Sequence, residues 1–227
     1  MRHRHQFTIC GILAAAMAGS AGAATVTALD NTAGETATLA GSLGSLTSSR
    51  WNFKVFTVGS SNATISSMVM GMYSSTASTY NITWELYAVD GSNNPTGSVL
   101  ASDTQSQSFT SVNASSYYTF TTGGTLASYS MQAGQTYGLL FKSDAATTTL
   151  SWTETSAGTV YSPGSPVSSG FTFVANRRTT NSGSSYSDNG YYNAWQLNVN
   201  AASAVPGAGL AGLATVGLAG ISRRRRR

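Results

Sequence analysis

Eight consecutive residues constrain the chain most: Ile82, Trp84, Leu86 and Ala88 alternate with Thr83, Glu85, Tyr87 and Val89. Side chains on a strand point to opposite faces in turn, so a period of two marks a strand and excludes a helix here. The same spacing sets Trp51, Phe53, Val55 and Thr57 against Asn52, Lys54 and Phe56. Ile65, Met68, Met70 and Met72 follow, separated by Ser, Val and Gly. Further strands are expected over 117–120, 125–131, 136–142, 148–153 and 192–198. Asp90-Gly91-Ser92-Asn93-Asn94-Pro95-Thr96-Gly97 is dense in turn formers, and Gly123-Gly124 and Ala133-Gly134 punctuate later runs. Residues 155–170 and 176–190 read as loops. Residues 24–49, small and hydroxylated, read as a lead-in or a weak first strand. No convincing helical period occurs between residues 24 and 204. Many short strands with polar turns predict an all-β fold, an antiparallel β-sandwich of jelly-roll-like type.

Composition narrows the class further. Only 9% of residues are charged, against about 25% in an average soluble domain. That excludes a charge-rich disordered chain, a coiled coil and a long solvated helix. The formal net charge of +4 is an effect of the two ends. Without Arg2, Arg4 and the five terminal arginines, the cations are Arg50, Lys54, Lys142, Arg177 and Arg178, facing eight acids. A nucleic-acid groove needs several cations on one face, so no nucleic-acid partner is expected.

Both ends read as addresses. Residues 1–23 begin with Arg2, His3, Arg4 and His5, continue with an apolar stretch from about Thr8 to Met17, and close on Ala21-Gly22-Ala23. This is the pattern of a secretory signal helix cut after about Ala23, with Ala21 and Ala23 as the small residues signal peptidase reads. His3, His5 and Cys10 leave with it, so the mature chain has no histidine and no thiol. At the other end, 201–206 form a linker. Residues 207–221 are uncharged, with Leu210, Leu213, Val216, Leu218 and Ile221 as large apolar side chains. A helix of that length spans roughly 22 Å, short of a hydrocarbon core of about 30 Å. Residues 222–227 then end in Arg223, Arg224, Arg225, Arg226 and Arg227, a basic stop that would remain on the cytoplasmic side.

This tail resembles the PEP-CTERM sorting signal, with Val205-Pro206-Gly207 in the motif position of a Val-Pro-Gly variant. The resemblance implies export by the secretion translocon and transient inner-membrane anchoring. Processing by an exosortase-type enzyme and delivery to the cell surface or extracellular matrix then follow. The body, over 45–200 with 24–44 as lead-in, resembles the choice-of-anchor R domain. The carrying segments are Phe53-Lys54-Val55-Phe56-Thr57-Val58-Gly59-Ser60, the hairpin from Trp84 to Ala101, and Met131-Gln132-Ala133-Gly134-Gln135-Thr136-Tyr137-Gly138-Leu139-Leu140, with Trp152 and Trp195 beyond them. This resemblance implies a surface β-sandwich with no assigned catalysis.

The chemistry left to the mature chain is sparse. Without His or Cys there is no Ser-His-Asp triad, no Cys-His dyad and no His-ligated metal site. Glu85 and Glu154 are the candidates for a glycosidase pair, weighed against single acids on a wet sheet face, which is the reading taken. A Ser–Lys dyad on Lys54 or Lys142 has no motif behind it. The turns at Asp90 and at Asp188-Asn189-Gly190 carry one carboxylate each, too few for a tight calcium site. No cofactor and no enzymatic activity are expected. Tyr191, Tyr192 and Trp195 are the candidate contacts to extracellular polysaccharide. The expected function is a structural or interaction protein, with a carbohydrate-binding module as the alternative and a glycosidase behind it.

Overall fold

The computed structural model describes residues 24–32, 44–110, 112–153, 170–190 and 193–201. They form β1 (Ala24–Asp30), β2 (Gly44–Ser45), β3 (Trp51–Thr57), β4 (Ala63–Ser74), β5 (Ser78–Val89), β6 (Pro95–Phe109), β7 (Ser115–Thr121), β8 (Thr136–Ser143), β9 (Leu150–Trp152), β10 (Thr172–Thr179), β11 (Ser187–Asp188) and β12 (Trp195–Ala201). Every pairing is antiparallel. The expected all-β class with two antiparallel sheets is what forms. The expected signal helix over 1–23 and the expected apolar tail helix and arginines over 207–227 lie outside the described residues. Among the described residues, no helix is long and apolar enough to cross a membrane.

The second sheet runs β11-β10-β3-β8-β5-β6. The first is built around β4. Met70 pairs with Trp195 of β12 and with Tyr118 of β7, while Met72 pairs with Ser116 of β7 and with Trp152 of β9. β12 and β9 therefore lie end to end along one edge of β4, with β7 on the other edge. β1 extends this sheet beyond β12, and β2 extends it beyond β9. The junction between β12 and β9 falls at Gly71. Its N–H donates to Ala194 O at 2.8 Å, its carbonyl accepts from Thr153 N–H at 2.8 Å, and Ala194 N–H donates to Thr153 O at 2.8 Å. A Cβ at Gly71 would run into the Thr153 side chain and the Ala194 methyl. Only glycine admits three chain segments this close.

The two sheets pack face to face through one core. Ile65, Met68, Met70, Met72, Trp195 and Leu197 come from the first sheet, and Phe56, Ile82, Trp84, Leu86, Leu139 and Phe141 from the second. Rings from opposite sheets meet at Trp84–Phe120, 4.9 Å between centroids, and at Phe141–Trp152, 4.5 Å. The step of three between Ile65 and Met68 has a structural cause. Val199 pairs with Ile65 and Asn198 with Ser67, so Ser66 is an extra residue that restores both side chains to the core.

Several sequence expectations change. Residues 125–131 are not a strand. Asp103 of β6 accepts the Gly123 N–H at 2.7 Å, and Ala127 and Tyr129 donate back to Gly123 and Thr125, which winds the segment into turns. Only Met131 makes an isolated bridge, to Ala63. The loop expected over 176–190 begins too early, because residues through Thr179 belong to β10, paired with β3. The last strand begins at Trp195 and runs to Ala201. Of the two readings of the start, the first strand is the one that forms. β1 pairs with β12 from Ala24↔Ala201 to Asp30↔Gln196, so these residues belong to the sheet rather than to a lead-in.

Candidate functional site

β3 is covered on both faces, which alternation alone does not reveal. Phe53 and Val55 join Leu140 under Trp51, Tyr87, Val89, Ala175 and Tyr186 on the side away from the main core. Gly138 lies across from Val55 on β8. A Cβ there would occupy the space taken by the Phe53 ring. The opposite face of β3 therefore sends Asn52, Lys54 and Phe56 between the sheets, and Lys54 is fully buried.

An ammonium in such a place needs close partners. Lys54 Nζ donates to Asn176 Oδ1 at 2.5 Å and to Asn193 Oδ1 at 2.8 Å. It also lies 4.9 Å from the centroid of the Trp152 ring, a favourable cation–π distance. Trp152 is held in turn by its indole N–H donating to Ala194 O at 2.8 Å. The amides continue outward. Asn189 Nδ2 donates to Asn193 Oδ1 at 3.3 Å and to Asn52 Oδ1 at 2.9 Å. Asn176 Nδ2 donates to Asn189 O at 2.9 Å. β3 supplies Asn52 and Lys54, and β10 supplies Asn176. Asn189 follows β11, and Asn193 precedes β12.

This chain of amides reaches solvent. Asn52 and Asn189 line a shallow cleft of about 50 Å³, together with Gly44, Ser45, Arg50, Trp51, Arg178, Thr179 and Thr180. Arg50 and Arg178 are exposed. The adjacent Arg177 and Arg178 take opposite faces of β10. Arg177 is engaged by Asp188 Oδ1 at 2.5 Å and donates to Asn94 Oδ1 at 2.9 Å. The cleft thus offers amides, hydroxyls, guanidinium and indole edges, a set suited to hydrogen-bonding a polar, hydroxylated ligand.

The residues singled out from the sequence fall elsewhere. Trp195 is fully buried, packed edge-on against Phe141 at 5.5 Å and Trp152 at 6.3 Å, so it is a core residue and not a glycan contact. Its place as the first inward residue of β12 dictates that burial. Tyr191 and Tyr192 lie outside the described residues. So do Ala21, Ala23, Val205, Pro206, Gly207, the five terminal arginines and Glu154. Glu85 stands on the outer face of β5, in an ion pair with Lys142 at 2.6 Å, and accepts from Tyr87 Oη at 2.9 Å. Lys142 in turn sits 5.0 Å from the Trp51 ring centroid. Burial and the neighbouring Glu85 push the Tyr87 hydroxyl well above its ordinary range. The same two causes push Tyr186 up to about 12. Asp90 closes its hairpin, accepting the N–H groups of Asn94 and Ser92. Those bonds hold its carboxyl below the usual range. Among the described residues, no cluster of three or more His, Cys, Asp or Glu side chains is arranged to hold a metal ion.

Sequence reading missed Asn52, Asn176, Asn189 and Asn193 as a group. The available signal was Lys54 itself, on a strand whose opposite face carries Trp51, Phe53 and Val55. Comparison with known proteins adds no relative: no family model matches the chain, and no curated protein or solved structure is significantly similar to it.

Proposed function

We propose that this chain is an exported, non-catalytic structural or interaction protein whose body is a jelly-roll-like β-sandwich of the choice-of-anchor R kind. It is held briefly in the inner membrane by residues 207–221, then processed by an exosortase-type enzyme near Val205-Pro206-Gly207 and left at the cell surface or in the extracellular matrix. The observation that carries this reading is the pair of terminal address segments around a body poor in charge. The outer faces of that body support it. Neutral side chains ladder across neighbouring strands, Thr25 to Asn200 at 2.6 Å, Thr27 to Asn198 at 2.9 Å, Thr79 to Ser108 at 2.8 Å and Thr83 to Thr104 at 2.9 Å. Such ladders offer donors and acceptors to a hydrated polysaccharide without attracting counterions. A pulse–chase in the native host tests the sorting step. The expected result is a membrane-bound precursor that converts to a released, shorter chain, and a precursor that no longer pauses when the five arginines are replaced by Gln. An intact tail that stays in the membrane throughout the chase overturns the reading.

A carbohydrate-binding role is the second reading, and the cleft of Arg50, Trp51, Asn52, Arg178 and Asn189 favours it. Binding of the mature chain on a glycan array, lost in Trp51→Ala and in Arg50→Ala with the fold intact, would establish it. An array without signal would leave the scaffold role alone.

A further inference from the structure

We propose that Lys54 and Asn193 condense into an amide, Nζ to Cγ with loss of ammonia, so that a covalent bond ties the second sheet to the first across the core. The reacting groups are already in place. Nζ is 2.8 Å from Asn193 Oδ1, and Cγ is only one C=O bond, about 1.23 Å, beyond that oxygen. A small rotation of the amide brings the nitrogen to the roughly 3–3.5 Å of an attack geometry. Both side chains are fully buried, so water is kept from competing for the carbonyl. The neutral amine is the nucleophile, so the ammonium must give up a proton before the attack.

The neighbours fit each part of the step. Asn189 Nδ2 donates to the same Asn193 Oδ1 at 3.3 Å, where negative charge gathers as the carbonyl is attacked. Asn193 Nδ2, the leaving nitrogen, faces Trp152 O at 3.5 Å. Asn176 Oδ1, at 2.5 Å, and the Trp152 ring hold the amine on line. In the reaction the Nζ lone pair forms the bond to Cγ and the C=O π pair moves to Oδ1. When that pair returns, the Cγ–Nδ2 bond breaks. Two protons leave Nζ, one from the ammonium before attack and one from the tetrahedral adduct, and both end on the departing nitrogen, so a Lys ammonium and an Asn amide become a secondary amide and one ammonium ion. No oxidant, metal or cofactor enters the balance. The link would give an exported chain, left without cysteine once its leader is cut, the cross-brace that a disulfide supplies elsewhere. It does not depend on the sorting route.

Mass spectrometry of the purified, denatured full chain tests this, with the ends mapped first. The expected mass is lighter than the sequence between those ends by one ammonia, and peptic digestion yields a linked pair of peptides joining Lys54 to Asn193. The chain has two lysines, so amine labelling of the denatured protein should mark Lys142 and leave Lys54 untouched. Asn193→Asp should lose one water instead of one ammonia, and Lys54→Arg should keep its full mass. A wild-type chain at full sequence mass with both lysines labelled overturns the proposal, as does a link mapped to Asn176. The wild-type measurement decides the matter even where a variant does not fold.

Discussion

Around Trp84 the two sheets meet through rings and methyl groups, while around Lys54 they meet through amides. Trp84 packs on Phe120 at 4.9 Å, with Ile82, Leu86 and Phe109 in the same cluster. Lys54 lies equally deep, bonded to Asn176 and Asn193, with Asn189 and Asn52 beyond. The apolar region gains from area removed from water, and each part contributes nearly on its own. The amide region works as a set, because a polar group that loses its partner indoors bears the cost of dehydration uncompensated. One interior therefore contains a region that substitution weakens gradually and another that is satisfied only as a whole.

The largest predicted effect tests the apolar region. Trp84→Ala should cost about 3–5 kcal/mol, read as a lower midpoint in urea denaturation at unchanged slope. Next comes the junction beside the amides. Gly71→Ala should cost about 2 kcal/mol through overpacking against Thr153 and Ala194, measurable as a drop in Tm. Asn52→Leu should cost about 1 kcal/mol by removing the acceptor of Asn189 Nδ2. If Leu is instead neutral or stabilising there, the amides are independent and the contrast between the regions fails. The smallest effect lies on the outer face. Tyr186 stays protonated to about 12 in the folded chain, against 10.0 ordinarily, through burial and Glu85. Its contribution to stability is complete below pH 10 and is lost as the pH rises from 10 towards 12. Alkaline melts should show that loss in the wild type and less of it in Tyr186→Phe.

The same contrast explains what the sequence discloses. Strands β3 and β5 were legible because their alternation is unbroken, β8 because Ala133-Gly134 sets it off, and Ile65, Met68, Met70 and Met72 read as part of one strand run. β10 was not legible. A register shift between Phe173 and Ala175 breaks its period, its inward Asn176 is polar, and Arg177-Arg178 resembles a loop. Alternation also names two faces without saying which is inside. On β3 the face with Trp51, Phe53 and Val55 turned out to be the outer one. The site was legible only in part, because its asparagines come from β3, β10 and the segments flanking β11 and β12, and no local spacing joins them. Trp195 misled for the opposite reason. An aromatic beside two tyrosines suggests a sugar platform, yet its strand phase carries it indoors.

The claim that the body is exported and trimmed at both ends is tested most directly by the terminal sequences of the chain recovered from outside the native host's cells. The account predicts a protein that starts near Ala24, the first residue of β1, and ends before Arg223. A full-length chain, with Met1 and all five terminal arginines, recovered from the cytoplasm would contradict it.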